Sequence, residues 1–191
     1  MADTTTTPAV AVAEGRNGPI ISGGGKIIFA LLRIALGFTY FWACIDKVFG
    51  LGYSTPSDRA VIHGGSATKG FLSSIKVGPF QDFFHSIAGS WWADLLFLVG
   101  LGAIGAAFIL GAGIRIAAWT GALLMLMMWA AEWPMDTVTS AGTPSGSTNP
   151  FVDYHLIYAL AGLALMSVRA GRWLGLGGWW SRTVGPRSPL L

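Results

Sequence analysis

The chain is poor in two things that most folded proteins use. It has a single cysteine, Cys44, which excludes an intramolecular disulfide and any cluster of cysteine metal ligands. Charged residues make up 11% of its 191 positions, less than half the ~25% of an ordinary soluble domain. There is no run of basic residues either. The 12 Lys and Arg are scattered, so the net charge of +3 is better explained by membrane topology than by a nucleic-acid partner. Positive charge is also missing ahead of the short apolar stretch "AVAVA", which Asp3 and Glu14 flank instead, and this excludes the usual pattern of a secretory signal. Residues 1–25, Thr-rich and then Gly-rich, are expected to form a mobile tail.

What the chain does have is apolar length. Hydrophobic residues make up 53% of it and the mean hydropathy is +0.59, as expected of a polytopic membrane protein. Four segments are long enough to span or nearly span a bilayer: Ile27 to Leu51, Trp92 to Leu110, Ile114 to Ala131, and the shorter Tyr154 to Val168. The expected fold is all-α: a membrane four-helix bundle over residues 26–170, followed by a basic cytoplasmic tail at 171–191.

Charge orients the bundle. Arg16, Lys26, Arg115, Arg169, Arg172, Arg182 and Arg187 fall in the tails and the second connection, whereas Lys47, Arg59, Lys69 and Lys76 lie on the opposite side. The acids from Asp46 to Asp153 share that opposite side. The positive-inside rule therefore places both termini in the cytoplasm, which agrees with an even number of spans.

The first external loop is too long to be a mere connector. Within it, "GPFQDFFHSIAG" spaces Phe80, Phe83, Phe84 and Ile87 as one helical face, which predicts a short amphipathic helix. Upstream, "HGGSATKGF" carries His63 and Lys69 on a Gly-rich turn. The third connection brings Glu132, Asp136, Asp153 and His155 to the same side. His63, His85 and His155 fit no ligand spacing, and no metal is expected. "GLGAIG" at 100–105 has the pattern of a dinucleotide-binding turn. It sits inside a span, where unwound backbone would leave unpaired polar groups, so it reads as a close helix-packing surface and no nucleotide is expected.

The first span holds the most informative pattern. Arg33, Gly37, Tyr40, Cys44 and Lys47 follow at steps of four, three, four and three, one stripe on a helix. Asp46 precedes Lys47 by ~100° of rotation, so the two neighbours point in different directions. Arg33 lies about two turns inside the cytoplasmic end; it either snorkels, forms a buried ion pair or serves a site facing the bundle interior. Lys47 and Asp46 are interfacial anchors or site residues. Cys44 reads as a packing residue, since a buried thiol without a nearby cation stays protonated.

"RIALGFTYFWACIDKVFGLGYSTPSDRAVIHGGSATKGFL", with "GPF" in the outer loop and "NPFVDYH" before the last span, resembles the DoxX/DoxD-like membrane proteins, from about Lys26 to Val168. "GGSATKGFL" favours the DoxD branch, the membrane subunit of thiosulfate:quinone oxidoreductase. Cys44 departs from the glycine usual at its place in the broader family. The resemblance implies a bacterial or archaeal cytoplasmic membrane, surrounding lipids, a quinone as cofactor and a second oxidoreductase subunit. On that reading Lys47, Asp46, His63 and Lys69 handle the small sulfur anion and protons at the outer face, while Arg33 and Tyr40 hold the quinone. The other reading is a non-catalytic accessory subunit of a larger respiratory complex, which the small size and the lack of a cofactor motif favour.

Overall fold

A computed structural model describes residues 21–139, 141–146, 149–185 and 188. Among them the named elements are all helical: α1 (Gly23–Phe49), α2 (Lys69–Leu72), α3 (Gln81–Ile87), α4 (Trp91–Leu110), α5 (Ile114–Glu132), α6 (Tyr154–Ser167) and α7 (Gly177–Val184), with 3-10 turns at Ser57–Arg59, Val61–His63 and Ala170–Arg172. One isolated bridge, Val138 with Pro144, is the β pairing among the described residues.

Helices α1, α4 and α5 are long and apolar enough to cross a membrane. The shortest of them, α5 with 19 residues, reaches about 28 Å at ~1.5 Å per residue, close to the ~30 Å of a hydrocarbon core. With 14 residues, α6 reaches only about 21 Å. The outward faces carry what a water-soluble helix would bury: Ile27, Ile28 and Leu31 on α1, Leu96 and Val99 on α4, and Leu123 on α5 are all exposed. Apolar residues on every side are the mark of a helix that lipid surrounds.

Helix α1 packs mainly on α4, and α5 on α6, with further contacts of α4 with α5 and of α1 with α6. The α1–α4 contact is backbone on backbone. A Cβ on Gly105 would stand 2.5 Å from Phe41 N, and one on Gly37 2.7 Å from Ile109 N. Small residues at a crossing permit that approach, which substitutes for the hydrophobic drive that lipid removes. "GLGAIG" lies in unbroken helix; Gly102 and Gly105 face α1, whereas Gly100 faces open space. Beside the crossing, Leu36, Tyr40, Leu101, Ile104, Phe108 and Leu165 form the central core.

Three expectations shift. Gly23–Gly25, assigned by composition to the tail, belong to α1, because Ser22 caps the helix by accepting from Gly25 N–H at 3.1 Å. The basic C-terminal segment contains a helix of its own, α7. Helix α3 starts at Gln81, so Phe80 stands at its cap and packs edge-on to Trp133 at 6.1 Å. Phe84 alone of its aromatics is buried, against Leu72, Ile75 and Ala131. Arg16 and Arg187, used in the charge count, lie outside the described residues.

Candidate functional site

Arg33 and Lys47 of α1 mark the two ends of the helices, ~21 Å apart along the axis. At the Lys47 end, two carboxylates tie the long connection between α1 and α4 to the helices. Asp46, 1% exposed, accepts from Tyr53 N–H at 3.2 Å through Oδ1, and from Ser54 N–H at 2.9 Å and Ser54 Oγ–H at 2.7 Å through Oδ2. Gly50, in the left-handed region at φ 66, ends α1 and turns the chain back so that this contact can form. Asp94, in the first turn of α4, accepts from Ser66 Oγ, Thr68 N–H and Thr68 Oγ1 at 2.9, 2.8 and 2.6 Å, all on Oδ1. Thr68 Oγ1 in turn accepts from Gly89 N–H at 3.1 Å.

Between these anchors lies a cleft with two lobes, which share Lys47, Ser54, Phe97, Met128 and Tyr154. The smaller, about 260 Å³, adds Tyr40, Tyr158 and His155. The larger, about 460 Å³, adds the loop residue Thr68 together with Phe71, Phe84, Trp92 and Glu132. Ser54 and Thr68, the residues that Asp46 and Asp94 hold, thus form part of its wall. The Lys47 ammonium sits 5.8 Å from the centroid of the Phe97 ring, a distance at which the ring face attracts a cation. Volumes and lining are those of a small-molecule site: mostly apolar, with a few polar groups that fix orientation.

His155 is the least exposed of those polar groups, at 2%. Its Nδ1 lies 2.6 Å from Asp153 Oδ2, while Asp153 Oδ1 caps α6 by accepting from Leu156 N–H at 3.1 Å. One carboxylate therefore starts the helix and orients the ring, which leaves Nε2 as the ring nitrogen available to a ligand. Sequence reading considered the two residues separately and missed the pair. The signal was local: "DYH" places Asp at the N-cap and His two residues on, within reach of the same carboxylate.

The residues singled out from sequence divide accordingly. Lys47 and Tyr40 line the same lobe, and Asp46 touches it through Ser54. Tyr40 also points its hydroxyl at Gly121 O, at 3.4 Å. His63 is exposed, with Nδ1 2.6 Å from Ser57 O, and does not line the cleft. Lys69, also exposed, lines a separate surface hollow beside Asp58 and Arg59. Among the described residues no group of three His, Cys, Asp or Glu is placed to hold a metal ion.

Arg33 lies at the far end and outside the cleft. It is fully buried, so it does not snorkel, and among the described residues it has no acidic partner and forms no ion pair. Nη1 donates to Phe108 O and to Ile109 O, the latter at 2.9 Å; Nη2 donates to Leu174 O at 2.9 Å and Trp173 O at 3.3 Å. Nε alone is left without a partner. The acceptors are carbonyls in the last turn of α4, which lack intrahelical donors, and carbonyls of the turn that follows α6. Between Arg33 and Lys47 the stripe is buried at Gly37 and Tyr40, and Cys44 approaches Leu98 O at 3.4 Å.

These features define a class: an all-helical chain with three helices able to cross a membrane and a largely apolar cleft at one end. Comparison with protein-family models, curated proteins and solved structures finds no match.

Proposed function

We propose that the chain is a four-helix membrane bundle of the DoxD type, with α6 completing the fourth span and the Lys47 end facing away from the cytoplasm. In that role it is the membrane subunit of a quinone-linked oxidoreductase that acts on thiosulfate or a similar small sulfur anion. The observation that carries this reading is the convergence of Lys47, Tyr40 and His155, the last held by Asp153, in a mostly apolar cleft. The sequence resemblance supports it independently.

The donor set fits a quinone. Apolar walls from Phe97, Met128 and Leu101 suit the ring and tail, and Lys47, Tyr158 and His155 are donors for carbonyl oxygens. When bound, a quinone supplies an acceptor for two electrons and two protons, and two thiosulfate anions joined through a new S–S bond release two electrons. This chain's residues then have separate tasks. Lys47 holds negative charge in a place sheltered from water, where its effect is stronger than at the surface. His155, steadied by Asp153, carries a proton at Nε2, and Glu132 in the larger lobe is a second proton carrier. Asp46 and Asp94 position the loop over the cleft. Lys69 gives the same loop a cationic outer surface for the anion, and His63 adds a polar ring to it.

A test uses the purified protein in lipid nanodiscs, titrated with a short-chain quinone while Trp92 and its neighbours report by fluorescence quenching. Saturable binding is expected, weakened about tenfold or more in Lys47→Met by loss of a charge-assisted hydrogen bond. No saturable binding would sink the quinone reading. Binding without thiosulfate-dependent reduction, together with a large stoichiometric partner in native purification, would instead make the chain an accessory subunit.

A further inference from the structure

The larger lobe of the cleft is covered on one side and open on another. Phe71 and Leu72 of α2 and Phe84 and Ile87 of α3 line it from the long connection between α1 and α4. That connection is fixed to both walls of the lobe. Asp94 holds it to α4 by accepting from Ser66 and Thr68, and a buried cluster of Leu72, Ile75, Phe84 and Ala131 holds it to α5. It forms a roof at the helix ends, the side from which water would enter.

Below the roof the two walls part. Toward the Arg33 end α4 and α5 touch, since a Cβ on Gly121 would lie 3.3 Å from the Ile104 side chain. Toward the Lys47 end the lobe, about 460 Å³, stands between them, with Leu96 and Phe97 on one helix and Leu124 and Met127 on the other. Leu96 is 66% exposed and Met127 42%, so these two line the lobe and the outer surface of the bundle at once.

Their depth says what that surface faces. Leu96 follows the first residue of α4 by five positions and Met127 precedes the last residue of α5 by five, each ~7.5 Å along its axis. Both helices are long and apolar enough to cross a membrane, and at that depth their outer side meets hydrocarbon rather than water. Polarity is graded in the same direction. Lys47, Tyr40, Tyr158 and His155 gather in the smaller lobe, whereas the gap between α4 and α5 presents aliphatic, aromatic and thioether groups.

Reading this cleft as the ligand site, we infer that its ligand is an amphiphile with a long apolar chain, which enters from the lipid between α4 and α5. The polar head lies at Lys47 and His155, and the chain leaves past Leu96 and Met127 into the bilayer. A chain on this route stays in apolar surroundings and never crosses the roof, whereas a polar ligand entering the same way would have to shed its water in hydrocarbon. Methionine suits the rim, because its unbranched thioether side chain repacks around irregular shapes. Leu96 and Met127 are then specificity-determining residues for the chain and do not touch the reacting head.

The experiment uses the full chain in lipid nanodiscs and three probes: a tail-free benzoquinone, the same ring carrying a decyl chain, and dodecanoate. Binding is measured by titration calorimetry, with empty nanodiscs subtracted. The parent is expected to favour the decyl quinone over the tail-free one. This preference should fall about fivefold in Leu96→Trp and in Met127→Trp, which narrow the gap, and persist in Leu160→Trp on the outer face of α6. The rim variants add bulk at exposed positions on different helices, so a folding fault in one leaves the other to report. An equal preference in the parent and both rim variants would overturn the lipid route and leave the quinone reading in place. If dodecanoate binds with the same loss in the rim variants while neither quinone binds, the route stands and the quinone reading falls. Absence of saturable binding by all three would overturn both.

Discussion

At the Lys47 end the chain ties its loops with carboxylates that accept from N–H and hydroxyl groups; at the Arg33 end one guanidinium donates to carbonyls. For α4 and α6, helix direction accounts for the difference. Helices α4 and α6 both begin at the Lys47 end, so their unpaired N–H groups and positive dipole ends lie there, and both finish at the Arg33 end, where unpaired carbonyls collect. Asp94 and Asp153 stand in or next to the first turns of those helices, and Arg33 reaches the last turn of α4. Helices α1 and α5 run the other way, with Asp46 and Glu132 near their ends and Arg115 in a first turn, so the backbone accounts for the placing of Asp94, Asp153 and Arg33 and not for the segregation of charge as a whole.

The ends also differ in how the work is divided. Asp46, Asp94 and Asp153 each hold one local segment, whereas Arg33 alone serves carbonyls on two separate segments. The largest stability loss is accordingly expected from Arg33→Met, about 3 kcal/mol or more, since hydrogen bonds to a charged group contribute ~1.5–3 kcal/mol and their buried acceptors would be stranded. Arg33→Lys recovers only part of this, because a compact ammonium cannot span both segments as the planar fork does. Denaturant titration in detergent, followed by tryptophan fluorescence, measures both. A loss no larger than that of the carboxylate variants below would break the contrast.

Next in size is the helix crossing midway between the ends. In Gly105→Ala the new methyl would meet Phe41 N, and overpacking of this kind costs ~1–3 kcal/mol. Gly100→Ala, about one and a half helical turns away and facing open space, is expected to leave the same unfolding curve in place. Equal effects from the two would show that α1 and α4 do not cross at Gly105.

Legibility in the sequence followed the range of each interaction. The stripe from Arg33 to Tyr40 could be read because a helical period is local. So could the apolar spans and the packing role of "GLGAIG", though not which glycines face α1, since period alone fixes a face only relative to itself. The start of α1 escaped because three glycines read as tail, and the cap that makes them helical is one serine. The partners of Arg33 are backbone carbonyls 75 to 141 residues away, which leave no trace in side-chain pattern. Ser66 and Thr68 of "GGSATKGFL" were noticed as a motif, yet their tie to Asp94, 26 to 28 residues on, is a tertiary fact. Asp153–His155 differs, being local enough to have been found.

The smallest effects separate the two loop anchors by their oxygens. Asp46 uses both: Oδ1 takes Tyr53 N–H while Oδ2 takes Ser54. An asparagine there keeps one acceptor and turns an NH₂ group toward another donor, so Asp46→Asn is expected to cost about 1–2 kcal/mol. Asp94 places all three of its hydrogen bonds on Oδ1, so Asp94→Asn can keep that oxygen in place and is expected to cost well under ~1 kcal/mol. Amide hydrogen exchange gives a local reading: Tyr53 and Ser54 should lose protection in the first variant, and Thr68 should keep it in the second. If Thr68 is deprotected as strongly as Ser54, the negative charge of Asp94 beside the start of α4 matters more than its geometry, and the helix dipole outweighs hydrogen-bond count at this end.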